Sequence, residues 1–303
     1  MLMNKQYGIA LILTLWLVLA LAAMVSVFVS LIRLEAKAVN NQKFVASALA
    51  LAEAGVVHAT VLLKNDTTGF DSPDDEWAKP IERQLGDGTY SITIVDEERK
   101  VNINYASETI MAKLGISQDI AREIVQYRKH GSFDTVAELL LINGMDIDSY
   151  CLIKDNFTTW GEININLADR DVLAALMTGF RVDADKANEI VDKRPFTGID
   201  NLSEIVGSKT YQLLKPVVTT TGGINIKTAS EHILKAYGID PEIIHSRTIN
   251  GENQEILTTS SKYFNVTTTG NSHGICKTIH AVLHRTQKDK RWAIRVVYWL
   301  EDE

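Results

Sequence analysis

Residues 9–32 read Ile9-Ala10-Leu11-Ile12-Leu13-Thr14-Leu15-Trp16-Leu17-Val18-Leu19-Ala20-Leu21-Ala22-Ala23-Met24-Val25-Ser26-Val27-Phe28-Val29-Ser30-Leu31-Ile32, with no charged residue, proline or glycine. As a helix these residues span about 36 Å at ~1.5 Å each, enough to cross a hydrocarbon core of about 30 Å. Before them stands the short leader Met1-Leu2-Met3-Asn4-Lys5-Gln6-Tyr7-Gly8; after them the chain reads on as helix from Arg33, with no glycine until Gly55. The pattern predicts a spine whose apolar half lies in a membrane and whose second half carries a body. Leu34, Ala38, Val45, Ala48, Leu49, Ala52, Val56, Ala59 and Leu63 form a stripe at three- and four-residue spacing, which predicts a face packed on a sheet. The small residues Ala46, Ala48, Ala50, Ala52 and Ala54 also permit close approach of another chain.

The N-terminus admits three readings. A secretory signal would use Lys5 and the core Ile9–Leu19, with cleavage after Ala20-Leu21-Ala22. A signal anchor would stay uncut with its N-terminus inside. A prepilin-type leader would be cut between Gly8 and Ile9, where glycine suits a backbone that must enter a protease cleft. The residues alone leave all three open.

Downstream, Gly69 and the acidic run Asp71-Ser72-Pro73-Asp74-Asp75-Glu76 end the helical segment. Clustered carboxylates suit a hard cation such as calcium, although no EF-hand spacing is present and a solvated loop is the commoner outcome. Gly86-Asp87-Gly88 reads as a turn and Thr89–Val95 as a strand. At the other end, Ser261–Thr269, Lys277–Thr286 and Trp292–Leu300 read as three antiparallel strands. With Thr89–Val95 they predict a four-stranded sheet under the spine helix, an α+β arrangement interrupted by an inserted all-α domain. The predicted organisation is leader 1–8, transmembrane half 9–32, an α/β body 33–100 and 259–303, and an insertion 101–258.

The insertion repeats itself. Asn102-Ile103-Asn104-Tyr105-Ala106 returns as Asn164-Ile165-Asn166-Leu167-Ala168 and again as Asn225-Ile226-Lys227-Thr228-Ala229, at offsets of 62 and 61 residues. Between the first two copies, Asp119, Ala121, Glu123, Ile124, Val125 and Arg128 match Asp185, Ala187, Glu189, Ile190, Val191 and Arg194. Asp134, Val136, Glu138 and Leu139 match Asp200, Leu202, Glu204 and Ile205, and the third copy is truncated. Asn104 and Asn166 are predicted N-caps of the helices that follow.

Residues 101–157 resemble the helix-hairpin-helix modules of DNA-binding competence proteins, which hold phosphates on backbone N–H groups at Gly-x-Gly hairpins. Here the hairpins read Lys113-Leu114-Gly115-Ile116-Ser117 and Met177-Thr178-Gly179-Phe180-Arg181, each without a second glycine, and Asp146 and Asp148 follow Asn143-Gly144. From Val101 to Gly223 there are 12 Lys and Arg against 17 Asp and Glu, a net of −5 within a chain of net −7. Such a field repels a polyanion, so no nucleic-acid partner is predicted. A membrane-anchored DNA receptor is the alternative from another class. No nucleophile elbow, P-loop, His-Glu-x-x-His or Cys-x-x-Cys is present, so no catalytic residue is assigned and no enzyme is predicted. His280 and His284 would share a strand face, read as surface rather than metal site, and Cys151 and Cys276 offer one conceivable bridge.

Taken together, Tyr7–Leu13, Leu51-Ala52-Glu53-Ala54-Gly55 and Asp96–Asn104, with helix-hairpin-helix repeats set inside an α/β body, resemble the type II secretion system protein K family, the large minor pseudopilins. The resemblance implies a pilin-like fold, prepilin-peptidase cleavage between Gly8 and Ile9, and N-methylation of Ile9. It implies anchoring in a bacterial inner membrane with a periplasmic body, and partners among the I- and J-type minor pseudopilins, with secreted proteins as further contacts. Calcium is implied for some members, without ligands that can be carried over, so the metal and its residues stay unassigned. Pilins carry a glutamate at the fifth mature position; here it is Leu13, which implies a subunit at the tip of a pseudopilus. A minor pilin of a type IV pilus is a close variant.

Overall fold

The computed structural model describes residues 3–68, 70–166, 168, 170–194, 196, 198–215, 217–220, 222–246, 257–288 and 291–302. Gly69 and Leu167, named above in the helix-ending loop and the repeat, lie outside these, as do Met1 and Leu2 of the leader.

Helix α1 runs unbroken from Met3 to Asn65, 63 residues and so about 95 Å long. Strand β1 (Ile81–Leu85) and strand β2 (Gly88–Asp96) then form a hairpin, Ile81 pairing with Ile92 and Leu85 with Gly88. The chain next enters the helical region, whose three copies share one closing device. Each begins with a two-residue strand that pairs in parallel with another at its end: β3 (Val101–Asn102) with β4 (Phe157–Thr158), β5 (Ile163–Asn164) with β6 (Val218–Thr219), and β7 (Ile224–Asn225) with β8 (Leu257–Thr258). Copy 1 holds α2 (Glu108–Lys113), α3 (Gln118–Arg128) and α4 (Ile147–Ile153). Copy 2 holds α5 (Arg170–Gly179), α6 (Lys186–Asp192), α7 (Ser203–Val206) and α8 (Ser208–Leu214), and copy 3 holds α9 (Glu231–Ala236) and α10 (Pro241–Ser246). Strands β9 (Tyr263–Ser272), β10 (Ile275–Lys288) and β11 (Arg291–Glu301) complete an antiparallel sheet in the order β1-β2-β9-β10-β11.

The sheet therefore has five strands, not four. The additional strand, β1, has no apolar alternation; its sequence Ile81-Glu82-Arg83-Gln84-Leu85 lies at the sheet edge with four of five residues exposed. It is held by the two-residue turn at Gly86, where φ is +59° and glycine is free of the Cβ penalty.

The apolar stripe of α1 is buried only in part. Ala52, Val56, Ala59 and Leu63 pack with Ile92, Ile94, Phe264, Val266, Ile279, Ala281 and Leu283, and Ala48 is buried, whereas Leu34, Ala38 and Val45 are exposed. Length explains this. The longest strand has 14 residues, about 46 Å, so a sheet of such strands cannot cover a helix twice that long. The alanines meet this chain's own sheet rather than a neighbour. A Cβ on Gly270 would stand 2.0 Å from the Ala48 carbonyl oxygen and 2.6 Å from the Ala52 nitrogen, so α1 lies on β9 backbone to backbone. The Thr268 hydroxyl donates to the Ala52 carbonyl at 2.8 Å. Ala48 and Ala52 are thus core positions, contrary to their expected role at an interface; Ala46 and Ala50 remain exposed.

Among the described residues the helical region has two cores. Copies 1 and 3 share one, in which Val101, Met111, Ile124 and Phe157 join Ile224, Leu234 and Leu257; copy 2 has its own around Ile165, Leu173, Met177, Ile190 and Leu214. Three helix caps are serines: Ser107, Ser117 and Ser230 accept from Ile110, Ile120 and Ile233 N–H, and Asp146 caps α4. Asn104 and Asn166 are not caps. Each makes a two-way bridge to a distant backbone, with Phe133 (2.8 and 3.0 Å) and Phe196 (2.8 and 2.9 Å). The first asparagine of each copy (Asn102, Asn164, Asn225) accepts from the N–H two residues on, forming a local turn.

Candidate functional site

Two features carry functional weight: the uncovered spine, and a buried polar joint between the sheet and the helical region.

Along α1, the large apolar residues from Leu11 to Ile32 are exposed, and one helix is long and apolar enough to cross a membrane. Two of its hydroxyls are satisfied within the helix. The Thr14 hydroxyl donates to the Leu11 carbonyl and the Ser30 hydroxyl to the Ser26 carbonyl, both at 2.9 Å, which removes the penalty of an unpaired hydroxyl in hydrocarbon. Gly8 and Ile9 lie within this helix. Leu13 projects outward at 64% exposure.

The joint begins at the acidic run after α1. Asp71, expected in a solvated loop, is fully buried and ion-paired with Arg285, which is itself 1% exposed. Arg285 also reaches Asp66 at 3.1 Å and donates to the Ser261 carbonyl at 2.8 Å. Its guanidinium lies 4.7 Å from the Phe264 ring centre and 4.5 Å from that of Trp292. Beside this pair sits Asp96 at the end of β2. It accepts from the hydroxyls of Thr228 (2.5 Å) and Ser261 (2.7 Å), from Asn225 Nδ2 (3.1 Å) and from Glu98 N–H (2.8 Å). Burial pushes the Asp96 carboxyl up to about 6, against the lowering effect of Thr228 and Ser261. Burial, reinforced by the Asp96 charge, pushes Glu98 up to about 8, while its Oε1 accepts from Lys262 N–H at 2.8 Å. Asp71 is also raised, by burial opposed by the Arg285 charge.

Asn225 shows what the joint does. Asn102 and Asn164 donate to carbonyls that follow their own copies, Trp160 at 3.0 Å and Gly222 at 2.8 Å. The third copy's Asn225 instead donates to the Asp71 carbonyl (3.2 Å), Asp96 and Ser261 Oγ (2.9 Å). The contact that closes copies 1 and 2 on themselves thus ties copy 3 to the sheet.

Other sequence candidates resolve differently. Among the described residues no group of three or more His, Cys, Asp or Glu is placed to hold a metal ion, and the carboxylates of residues 71–76 diverge: Asp71 turns inward to Arg285 and Asp75 accepts from Ser72 N–H. The loop is not arranged as a calcium site. Cys151 and Cys276 are separate free thiols. His284 stacks on Tyr263 with ring centres 4.4 Å apart, and His280 bonds Thr267 and Asp302. In the hairpins, the left-handed residue of copy 1 is Gly115 (φ +99°), but in copy 2 it is Arg181 (φ +59°), two residues beyond the glycine first assigned there. The matched arginines face inward: Arg128 donates to the Ala106 carbonyl at 2.8 Å and Arg194 to the carbonyls of Ile165 and Ala168 at 2.7 and 2.5 Å. Positive charge that a phosphate would need is spent on the repeat's own backbone.

Comparison with known proteins gives two family matches. Residues 96–158, which include copy 1, match the helix-hairpin-helix motif. Residues 163–219, which run from β5 to β6, match the model for type II secretion system protein K. Over that stretch the chain is similar to the protein K family. The protein K match coincides with copy 2 and its separate core. Among solved structures, the GspK-GspI-GspJ complex from the enterotoxigenic Escherichia coli type 2 secretion system holds a similar chain, at 16% identity and TM-score 0.44, covering 89% of this chain and 99% of that one. No curated protein matches.

Sequence reading found the spine, the repeats and the protein K resemblance, and missed the joint. One signal was present: Arg285 continues the inward phase of Ile279, Ala281 and Leu283, where a charge needs a buried partner.

Proposed function

We propose that this chain is a minor pseudopilin of a type II secretion system, structural rather than catalytic, that caps the tip of a periplasmic pseudopilus and helps to start its assembly. The observation that carries this is the protein K match on a chain whose first helix leaves an apolar half uncovered. In this reading the prepilin peptidase cuts between Gly8 and Ile9, Ile9 is N-methylated, and α1 holds the protein in the inner membrane with its body in the periplasm. Leu13 then takes the place where other pilin-type subunits carry a glutamate. A carboxylate in the membrane is costly unless a cation pairs with it, such as the N-terminal amine of an adjacent subunit. A subunit at the tip lacks one such neighbour, and leucine avoids the unpaired charge. The partners are other minor pseudopilins of the I and J type, meeting α1 along its exposed residues 33–43, with secreted proteins as further contacts.

The deciding experiment is mass spectrometry of the mature N-terminus from native membranes. An N-methylated chain starting at Ile9 is expected. A chain starting at Ala23 would mean a secretory signal and sink the proposal together with its anchor. An intact Met1 would leave an anchored receptor and redirect attention to DNA.

A further inference from the structure

Copies 1 and 2 of the helical region build the same terminal helix from different outward faces, and the difference marks a surface that folding does not require. In copy 1, α4 buries Ile153, half-buries Tyr150 and leads to Phe157 in the closing strand; in copy 2, α8 buries Leu214 and Tyr211 and leads to Val218. Each pair lies 61 residues apart. On that register the exposed face of α8 presents Ser208, Lys209, Gln212 and Leu213, a soluble surface with one leucine. The same face of α4 presents Ile147, Asp148, Cys151 and Leu152, with Ile147 58% and Leu152 82% exposed. Copy 2 keeps a leucine at the Leu152 position but folds with Ser208 and Gln212 where copy 1 has Ile147 and Cys151, so Ile147 serves something other than the repeat's core.

The charges differ as well. Around the α4 face stand Asp146, Asp148 and Asp155 with Lys154; α8 carries Gly207 and Lys209 at the positions of Asp146 and Asp148, and Lys215 at that of Lys154. Asp146 is partly engaged as the N-cap, accepting from Ser149 N–H at 2.7 Å; Asp148 and Asp155 are exposed. An apolar strip edged by carboxylates is complementary to a segment that alternates apolar and basic side chains. We propose that the outward face of α4 is a docking surface for a cationic amphipathic segment of another protein. This stands independently of the pseudopilin reading, because it uses only the contrast between the two copies.

The test uses the full chain in nanodiscs of zwitterionic lipid and a fluorescent Leu/Lys amphipathic peptide of about fifteen residues, read by anisotropy at about 0.1 M salt. A Leu/Glu peptide and empty discs are the controls. Binding of the Leu/Lys peptide alone is expected. It should weaken by about tenfold or more in Ile147→Ser with Leu152→Ser, and again in Asp148→Lys, but not in Leu213→Ser. These are exposed positions, and an unchanged circular-dichroism spectrum confirms that the fold persists. Undiminished binding to the double variant, equal binding to empty discs, or no binding at all would overturn the proposal. Self-association of the chain that disappears in the double variant would give the face to a second copy and overturn it too.

Discussion

Arg285 sits where the strand pattern calls for an apolar residue, and its partners set the cost of that choice. With Asp71 and Asp66 in place the charge is paired, and the hydrogen bonds to Ser261 complete it. Arg285→Met would leave the Asp71 carboxylate buried without its cation. A loss of about 3–5 kcal/mol is expected in urea unfolding followed by tryptophan fluorescence. Arg285→Met combined with Asp71→Asn and Asp66→Asn should recover most of it, because both isolated charges are gone. Glu98 makes a pH-dependent prediction. Its folded carboxyl titrates near 8, above its ordinary 4.5, so the folded state holds a proton that the unfolded chain has already released. The stability it contributes is fully present below about 4.5 and is lost as pH rises through about 8; Asp96 acts likewise from 3.8 to about 6. The body should therefore be more stable at mildly acidic pH, with Glu98 contributing on the order of a few kcal/mol. Glu98→Gln keeps an acceptor for Lys262 N–H and should flatten the slope above neutrality; an unchanged slope would refute this assignment.

At the level of elements, the α1–β9 contact rests on a glycine. Gly270→Ala would drive a methyl into the backbone of α1 at Ala48, which cannot retreat as a side-chain tip would. A loss of about 3 kcal/mol or more is expected in the same unfolding assay. Gly131→Ala, where nothing lies within 4 Å of the added carbon, should change stability by less than about 0.5 kcal/mol. Legibility follows the same physics. The helix and four strands show in the sequence because each has a periodic apolar face: Ile92 and Ile94 alternate, as do Ile279, Ala281 and Leu283. Edge strand β1 has no such face, and its place comes from pairing and a turn. The limit of burial on α1 was also invisible, since Leu34 and Val45 fit the stripe as well as Val56 and Leu63; only the sheet's length separates them. The joint was hidden because Asp71, Asp96, Asn225 and Arg285 are far apart in sequence, and an acidic run reads as solvated until its partner is known.

For the whole molecule, the separation of cores predicts separable stability. Copy 2 packs around its own buried residues, whereas copies 1 and 3 share theirs and are further joined by Lys113 Nζ donating to the Ala236 carbonyl at 2.8 Å. Native-state hydrogen exchange should show amides of α5, α6 and α8 opening as one unit, while those of α3 and α9 follow a second, more protected unit. Equal protection in both would mean that the region opens as one body. The parallel closing pairs have a mechanical consequence. Asp96 of β2 and Phe264 of β9 face each other across adjacent hydrogen-bonded strands, and the helical region leaves the sheet after the one and rejoins it before the other. A force applied along the spine passes from α1 into the sheet through the helix–strand contact and never has to traverse the repeats. They hang beside the load path like a bracket bolted to a mast, free to change shape while the mast still bears a load.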